Sequence, residues 1–224
     1  MYFDPDNETL PREQLKALQL VRLKATVERC YETVPFYRAA MDELQVKPRH
    51  IKTLADVRHL PLTKKEQLRE NYPFGMFSVP KNQILRLHAS SGTSGKPVVT
   101  GYTRRDLENW SKLGARCLVA AGLKAGEKFH NAHGYGVFTG GMGVHGACEM
   151  LGMTVIPISG GRTQFQLMMI EDLKPDAMCA SPSYAMTIAE EAERQGIDMK
   201  KHPLRVGLFG SEPWTHEMRL ILED

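Results

Sequence analysis

The hydrophobic positions of this 224-residue chain change their spacing near residue 80. Before that point they recur at helical intervals. Leu20, Leu23, Val27 and Tyr31 share one face of the stretch from about Pro11 to Arg38, with charges between them. That pattern predicts one long helix. Thr63-Lys64-Lys65-Glu66 has the spacing of a capping box and predicts a second, short helix. Asn71 to Val79 is turn-rich and aromatic, so residues 1–80 read as a helical and looped N-terminal region.

After residue 80, short apolar runs alternate with amphipathic ones. Strands are predicted at Ile84–Ala89, Val98–Tyr102, Lys128–Ala132, Met153–Pro157, Ala177–Ala180 and Arg205–Phe209. Helices are predicted from the Thr103-Arg104-Arg105-Asp106 cap to about Ala121 and from about Gly140 to Leu151. Two more run from the Thr163-Gln164-Phe165-Gln166 cap to just before Pro175, and from Tyr184 to Gln195, closed by Gly196. Strand and helix repeat every roughly 25–30 residues, the signature of βαβ units. Residues 81–224 therefore read as an α/β subdomain, a mostly parallel sheet with helices on both faces. Ligands of such sheets lie beyond the carboxyl ends of the strands. Gly134–Gly141, Ser159-Gly160-Gly161, Ser181-Pro182-Ser183 and Gly210-Ser211-Glu212 each follow a predicted strand. Four strand ends thus converge on one polar, glycine-rich rim.

Composition narrows the function classes. At 42% hydrophobic the chain can bury a sizeable core, and 29 basic residues nearly balance 26 acidic ones for a net charge of +3. No basic run interleaves with aromatics, which argues against a nucleic acid partner. No stretch reaches the roughly 18–20 apolar residues of a spanning helix. The N-terminus, Met1-Tyr2-Phe3-Asp4-Pro5-Asp6, is acidic and lacks an apolar export core. Cys30, Cys117, Cys148 and Cys179 are far apart and read as free thiols of a reducing compartment. The expectation is a cytoplasmic protein with small-molecule partners and no membrane attachment; the sequence leaves a homodimer open. His130 and His133 have no cysteine or carboxylate nearby in sequence and read as strand-end histidines, so no metal ligand is assigned.

Chemistry concentrates in Ser90-Ser91-Gly92-Thr93-Ser94-Gly95-Lys96-Pro97. Glycines let backbone N–H groups crowd around an anion, hydroxyls donate further hydrogen bonds, and the lysine adds a point charge. This is a polyphosphate cradle; the plainer alternative is a Gly/Ser surface loop. A Walker A loop needs glycine where Ser90 stands and a hydroxyl residue where Pro97 stands, and it opens a helix. Here a strand is predicted on each side, which argues against a conventional P-loop NTPase. Gly141-Met142-Gly143-Val144-His145-Gly146 satisfies G-x-G-x-x-G, but the following strand ends in Ser159-Gly160-Gly161-Arg162-Thr163 with no carboxylate. Close helix packing accounts better for those glycines than a dinucleotide does. Tyr135 and Phe138 sit among glycines, where an aromatic either packs under the loop or lines a cavity for a flat ring. Glu212 either caps the following helix near Thr215 or belongs to the rim.

In this setting, Ser90–Lys96 resembles the nucleotide-phosphate loop of adenylate-forming acyl- and aryl-CoA ligases. Val34-Pro35-Phe36-Tyr37-Arg38, Gly134-Tyr135-Gly136-Val137-Phe138-Thr139-Gly140-Gly141, Ile156-Pro157-Ile158-Ser159-Gly160-Gly161 and Phe209-Gly210-Ser211-Glu212-Pro213-Trp214 narrow this. In that order they are similar to the phenylacetate–CoA ligase family, over nearly the whole chain. The resemblance implies the N-terminal portion of an adenylate-forming ligase fold. It also implies ATP, magnesium and coenzyme A as co-substrates, and an aryl acid, phenylacetate first, activated through an acyl-adenylate in aromatic acid degradation. On it, Ser90, Ser91, Gly92, Thr93, Ser94, Gly95 and Lys96 hold phosphates. Gly210, Ser211, Glu212 and Pro213 border adenine and the acid, and Tyr135, Phe138, Gly140 and Gly141 line the aryl pocket. Ser211 stands where that family usually has alanine, which makes the turn more polar. Benzoate, hydroxyphenylacetate and indoleacetate are not ranked against phenylacetate by the sequence. The family's lysine-bearing C-terminal domain finds no match before Asp224. The expectation is therefore an N-terminal part, inactive alone, with a nucleotide- or aryl-binding module without turnover as the alternative.

Overall fold

A computed structural model describes residues 1–90 and 95–223. The chain divides into two compact units, Asp4–Arg105, and Asp106 onward together with Met1–Phe3. This boundary and the change of sequence pattern at residue 80 do not coincide. The first two strands form their own two-stranded sheet and do not join the four-stranded one that follows.

The Asp4–Arg105 unit holds α1 (Pro5–Glu8), α2 (Arg12–Thr33), α3 (Pro35–Glu43) and α4 (Lys65–Glu70), then β1 (Arg86–Ala89) and β2 (Val99–Tyr102). The single helix expected from Pro11 to Arg38 is in fact two. Proline pushes its predecessor out of the helical region and fits the first position of a new helix. Val34 is accordingly extended (φ −115°, ψ 103°) and Pro35 opens α3. The break turns α3 back so that Val27, Met41 and Ile51 form a small core, with Leu23, Tyr31, Val46 and Leu60 packed around it. The capping box of α4 lies one residue later than its spacing suggests. Lys64 N–H donates to Gln67 Oε1 at 2.8 Å, while the Thr63 hydroxyl pairs with that of Tyr37 at 3.0 Å.

β1 and β2 are antiparallel, with Arg86 opposite Tyr102 and Ala89 opposite Val99. The hairpin is closed one step further out. Ser90 N–H donates to the Val98 carbonyl, and Val98 N–H donates to Ser90 Oγ at 3.0 Å. The phosphate-loop candidate therefore springs from a hydrogen-bonded neck between two strands, not from the start of a helix. Ser91, Gly92, Thr93 and Ser94 lie outside the described residues.

The Asp106-onward unit alternates β3 (Lys128–Asn131), α6 (Gly140–Leu151), β4 (Thr154–Ile156), α7 (Thr163–Leu173), β5 (Ala177–Ala180), α8 (Pro182–Arg194), β6 (Val206–Phe209) and α9 (His216–Glu223), after α5 (Arg104–Ala120). Its strands are all parallel, in the order β4-β3-β5-β6. Side chains alternate across a strand, and two cores result. On one face Phe129, Ala177 and Cys179 meet Leu118 of α5 and Ala147 and Cys148 of α6. On the other, Ala132, Met178 and Ala180 meet Leu167 and Ile170 of α7 and Ala185, Ile188 and Ala192 of α8. Helices cover both faces, as the βαβ spacing predicts.

The G-x-G-x-x-G glycines serve packing. A Cβ at Gly143 would lie 2.4 Å from the Trp110 ring, and one at Gly146 would lie 2.7 Å from Ser111 Oγ, both on α5. Gly143→Val should therefore force α5 and α6 apart and cost about 1–3 kcal/mol, the usual range for overpacking. Gly134→Ala, where an added Cβ meets nothing within 4 Å, should stay within about 0.5 kcal/mol of the parent. Denaturant midpoints at unchanged slope would measure both. Equal losses would contradict the close α5–α6 contact.

Candidate functional site

β3 and β5 are neighbours in the sheet, but their following helices depart to opposite faces, α6 to one and α8 to the other. This is the switch point at which an open parallel sheet leaves a crevice beyond its carboxyl ends. Residues 132–139, 157–162, 181 and 210–215 form the four loops at that end.

Asn131, the last residue of β3, organises the first loop. It is fully buried. Its amide nitrogen donates to Tyr135 Oη at 2.6 Å and to the Gly141 carbonyl at 2.8 Å. Its oxygen accepts from His133 N–H at 3.2 Å and from Cys179 Sγ at 3.1 Å. One side chain thus ties together its own loop, the first turn of α6 and the neighbouring strand. Because Tyr135 Oη accepts from Asn131, its proton is free to go to His145 Nδ1, 3.1 Å away; His145 Nε2 lies 3.1 Å from Glu149 Oε1. Burial pushes the Tyr135 phenol up to about 12. It is a neutral hydrogen-bonding group here, not a base.

The β4–α7 loop is bent through three left-handed residues, Ser159 (φ 69°), Gly161 (φ 82°) and Arg162 (φ 57°). Gln166 holds it from beneath. The amide nitrogen donates to the Ser159 carbonyl at 2.7 Å and to the Gly161 carbonyl at 3.0 Å. Tyr184 Oη, from α8, also donates to the Gly161 carbonyl, at 2.6 Å. The cap expected at Thr163-Gln164-Phe165-Gln166 is not formed. Arg162 occupies the N-cap position, and Gln166 turns inward to His130 Nε2. His130 and His133 are both held below the usual imidazole range by burial. Among the described residues no group of three His, Cys, Asp or Glu side chains is placed to hold a metal.

Glu212 caps a helix, though not the one that follows it. Its Oε1 accepts the Ser183 backbone N–H at 2.7 Å, in the first turn of α8, where Ser181 makes no side-chain cap. The hydroxyl and N–H of Ser183 hold the Glu212 carboxyl below its ordinary range. The carboxylate fixes the Gly210–Pro213 turn against α8. Within that turn Ser211 has φ 78°, a strained value for a serine.

The predicted aryl residues are placed unequally. Gly141 is buried, and a Cβ there would lie 2.5 Å from the Gly134 carbonyl oxygen. Tyr135 is half-buried, Gly140 is exposed, and Phe138 is 53% exposed. An apolar concavity of about 660 Å³ lies elsewhere, beside β6, lined by Met178, Ile188, Phe209, Trp214 and Leu222 among others. It contains none of those four residues. Polar groups converge instead at the hydrogen-bonded strand-end loops. Lys96, in the other unit, is exposed with its Nζ 5.3 Å from the Tyr72 ring centroid. Sequence reasoning did not single out Asn131 or Gln166 as organising residues. A polar residue at a strand's carboxyl end was the available signal for the first. Cys148 and Cys179 are buried thiols raised to about 12, chiefly by desolvation, and so are inert as nucleophiles. Among the described residues no helix is long and apolar enough to cross a membrane.

No family model matches the chain. It is 50% identical over all 224 residues to a phenylacetate-coenzyme A ligase of Thermus thermophilus, covering 50% of that protein. It is 50% identical over 217 residues to the Escherichia coli enzyme of the same name, again covering 50% of it. Among solved structures, 2-hydroxyisobutyryl-CoA ligase in complex with 2-HIB-AMP and CoA matches 95% of this chain and 46% of its own, at 28% identity and a TM-score of 0.89. An open conformation of that ligase matches 98% of this chain with a TM-score of 0.90. The chain spans about half the length of the curated relatives it matches. From its first segment to its last, this chain is similar to the phenylacetate-coenzyme A ligases over about half of their length, and its α/β fold is that of an adenylate-forming ligase.

Proposed function

We propose that this chain contributes the nucleotide- and acid-binding part of an ATP-dependent acid–thiol ligase, with phenylacetate as the first candidate acid. The observation that carries the reading is the 50% identity with phenylacetate-coenzyme A ligases along all 224 residues. Likeness to a structure holding an acyl-AMP and CoA supports the two-step chemistry. In the first step a carboxylate oxygen attacks the α-phosphorus of ATP. The bond to the β-phosphate oxygen breaks, and pyrophosphate leaves. In the second, the sulfur of coenzyme A attacks the acyl carbon and AMP departs.

The residues take their roles from their chemistry. Ser90 to Lys96 supply hydroxyls, backbone N–H groups and one cation to the phosphates, where charge stabilisation is most useful. Gly210, Ser211, Glu212 and Pro213 offer backbone groups to adenine and one wall to the acid. Tyr135, Phe138, Gly140 and Gly141 offer a flat, partly apolar surface suited to an aryl ring. Magnesium arrives with the nucleotide, held mainly by phosphates and water.

Calorimetric titration with ATP and magnesium tests the loop. Lys96→Ala should weaken binding by about 1–3 kcal/mol, the scale of a charge-assisted hydrogen bond. Unchanged affinity would remove the loop from the site. This chain alone should bind ATP and phenylacetate without releasing AMP at a useful rate; robust AMP release from phenylacetate, ATP, magnesium and coenzyme A, lost in Lys96→Ala, would show instead that it is active by itself.

The Tyr135 assignment has its own test. A phenol raised from 10.0 to about 12 in the folded state stays protonated where the unfolded chain loses its proton. Its contribution to stability is full below the unfolded value and is lost as pH rises through the folded one. Wild-type stability should therefore fall more steeply between about pH 10 and about pH 12 than that of Tyr135→Phe. The phenolate absorbance missing from the variant should titrate near the upper value. Ionisation of Tyr135 at the ordinary phenol range would show that it is solvated and not part of the Asn131 network.

A further inference from the structure

His130 is fully buried on β3, and Gln166 is fully buried on α7. The amide of Gln166 gives both hydrogens to the loop above, to the Ser159 and Gly161 carbonyls. Its oxygen is therefore left to face His130 Nε2, at 2.5 Å. This orientation admits one proton arrangement: Nε2–H donates and Nδ1 carries a bare lone pair. Nδ1 is buried and, among the described residues, has no hydrogen-bond partner. A protonated imidazole would leave an N–H there with nothing to accept it, so the ring is neutral.

The loop above holds Ser159 and Arg162 in the left-handed region, which non-glycine residues keep only where the surroundings over-determine it. Besides the Gln166 side chain, the loop is held by Ser159 N–H to the Asn131 carbonyl, by the Phe165 and Gln166 backbone N–H groups to the Arg162 carbonyl and by Tyr184 Oη to the Gly161 carbonyl. The guanidinium of Arg162 stacks 4.2 Å over the Phe165 ring. None of these touches both the Ser159 and the Gly161 carbonyls, as the Gln166 side chain does.

We propose that His130 and Gln166 are positioning residues, which set the shape of the Ser159–Arg162 rim and through it the affinity of the crevice for its ligand. The loop half of this inference stands on geometry alone; the affinity half rests on the function proposed above. The imidazole fixes which way the amide points, and the amide fixes the rim. Among the described residues, the titratable or charged groups bonded to Gln166 or to the carbonyls it holds are His130 from β3, Tyr184 from α8 and, through its backbone, Arg162 at the start of α7.

Two substitutions in the otherwise intact chain test it. Gln166→Met removes the side-chain hydrogen bonds to His130, Ser159 and Gly161 at similar volume. It should speed amide exchange across residues 159–162 by about tenfold or more, the scale of a lost buried hydrogen bond. Gln166→Glu is the more specific probe. Protonated, its carboxyl can still donate to one carbonyl; ionised, it donates to neither and repels both. Loop protection and phenylacetate affinity, read by calorimetry with ATP and magnesium present, should then fall about tenfold as pH rises from about 5 to about 8. The wild-type amide does not titrate, so the variant's profile relative to wild type isolates the new carboxyl, and the ionisation of ATP cancels. A Gln166→Glu profile that parallels wild type, or unchanged exchange in Gln166→Met, would overturn the inference. Wild type binding neither ATP nor phenylacetate would overturn the affinity half together with the proposed function, and amide exchange would still decide the loop half.

Discussion

The crevice end of the parallel sheet depends on one buried side chain. Asn131 can donate two hydrogen bonds and accept two, and all four are used, by Tyr135, Gly141, His133 and Cys179. A buried polar group is costly when unpaired and specifying when fully paired. The observed arrangement of the residue 132–139 loop satisfies it in full. That loop must pass close enough to α6 for the Gly141 carbonyl to be reached, which explains why Gly141 has no room for a Cβ. The same amide reaches sideways to β5, so the loop's position is indexed to the sheet itself.

The other rim loops are secured in a similar way, from the side or from beneath. Gln166 and Tyr184 hold the β4 loop by its carbonyls. Glu212 holds the β6 loop against α8. The Tyr184 and Glu212 tethers cross from one βα unit to another, so the rim is set by the packing of the helices as much as by its own turns. Left-handed residues at Ser159, Arg162 and Ser211 are tolerated within this frame. They aim backbone groups in directions that regular turns would not.

The βαβ order was legible because strand and helix periods differ and because glycine and proline punctuate them. Strands β3 to β6 and helix α6 lie within a residue or so of where the pattern places them. The errors have local causes. Helical spacing continues across Val34 and Pro35, yet proline's effect on its predecessor breaks the helix there. Thr63 and Lys64 are both compatible with the cap of α4, and the choice went to the residue whose N–H meets Gln67. At Thr163-Gln164-Phe165-Gln166 the spacing of a capping box was present, but Gln166 found a buried histidine on a strand 36 residues earlier. No local pattern reports such a partner. The same holds for Glu212, whose sequence neighbours point to the following helix while its hydrogen bond goes to the preceding one. Candidate rim segments were therefore readable, whereas the side chains that hold them in place were not.

The Glu212 cap also bears on the order in which the chain can assemble. The first turn of α8 obtains the partner for its Ser183 N–H from a residue 29 positions later, beyond β6. In any partly folded state where β6 has not yet paired with β5, that helix end is short of one acceptor and frays. Completion of α8 is thus a long-range event, although the helix itself is a local structure, and its first turn reports on whether the last strand has docked.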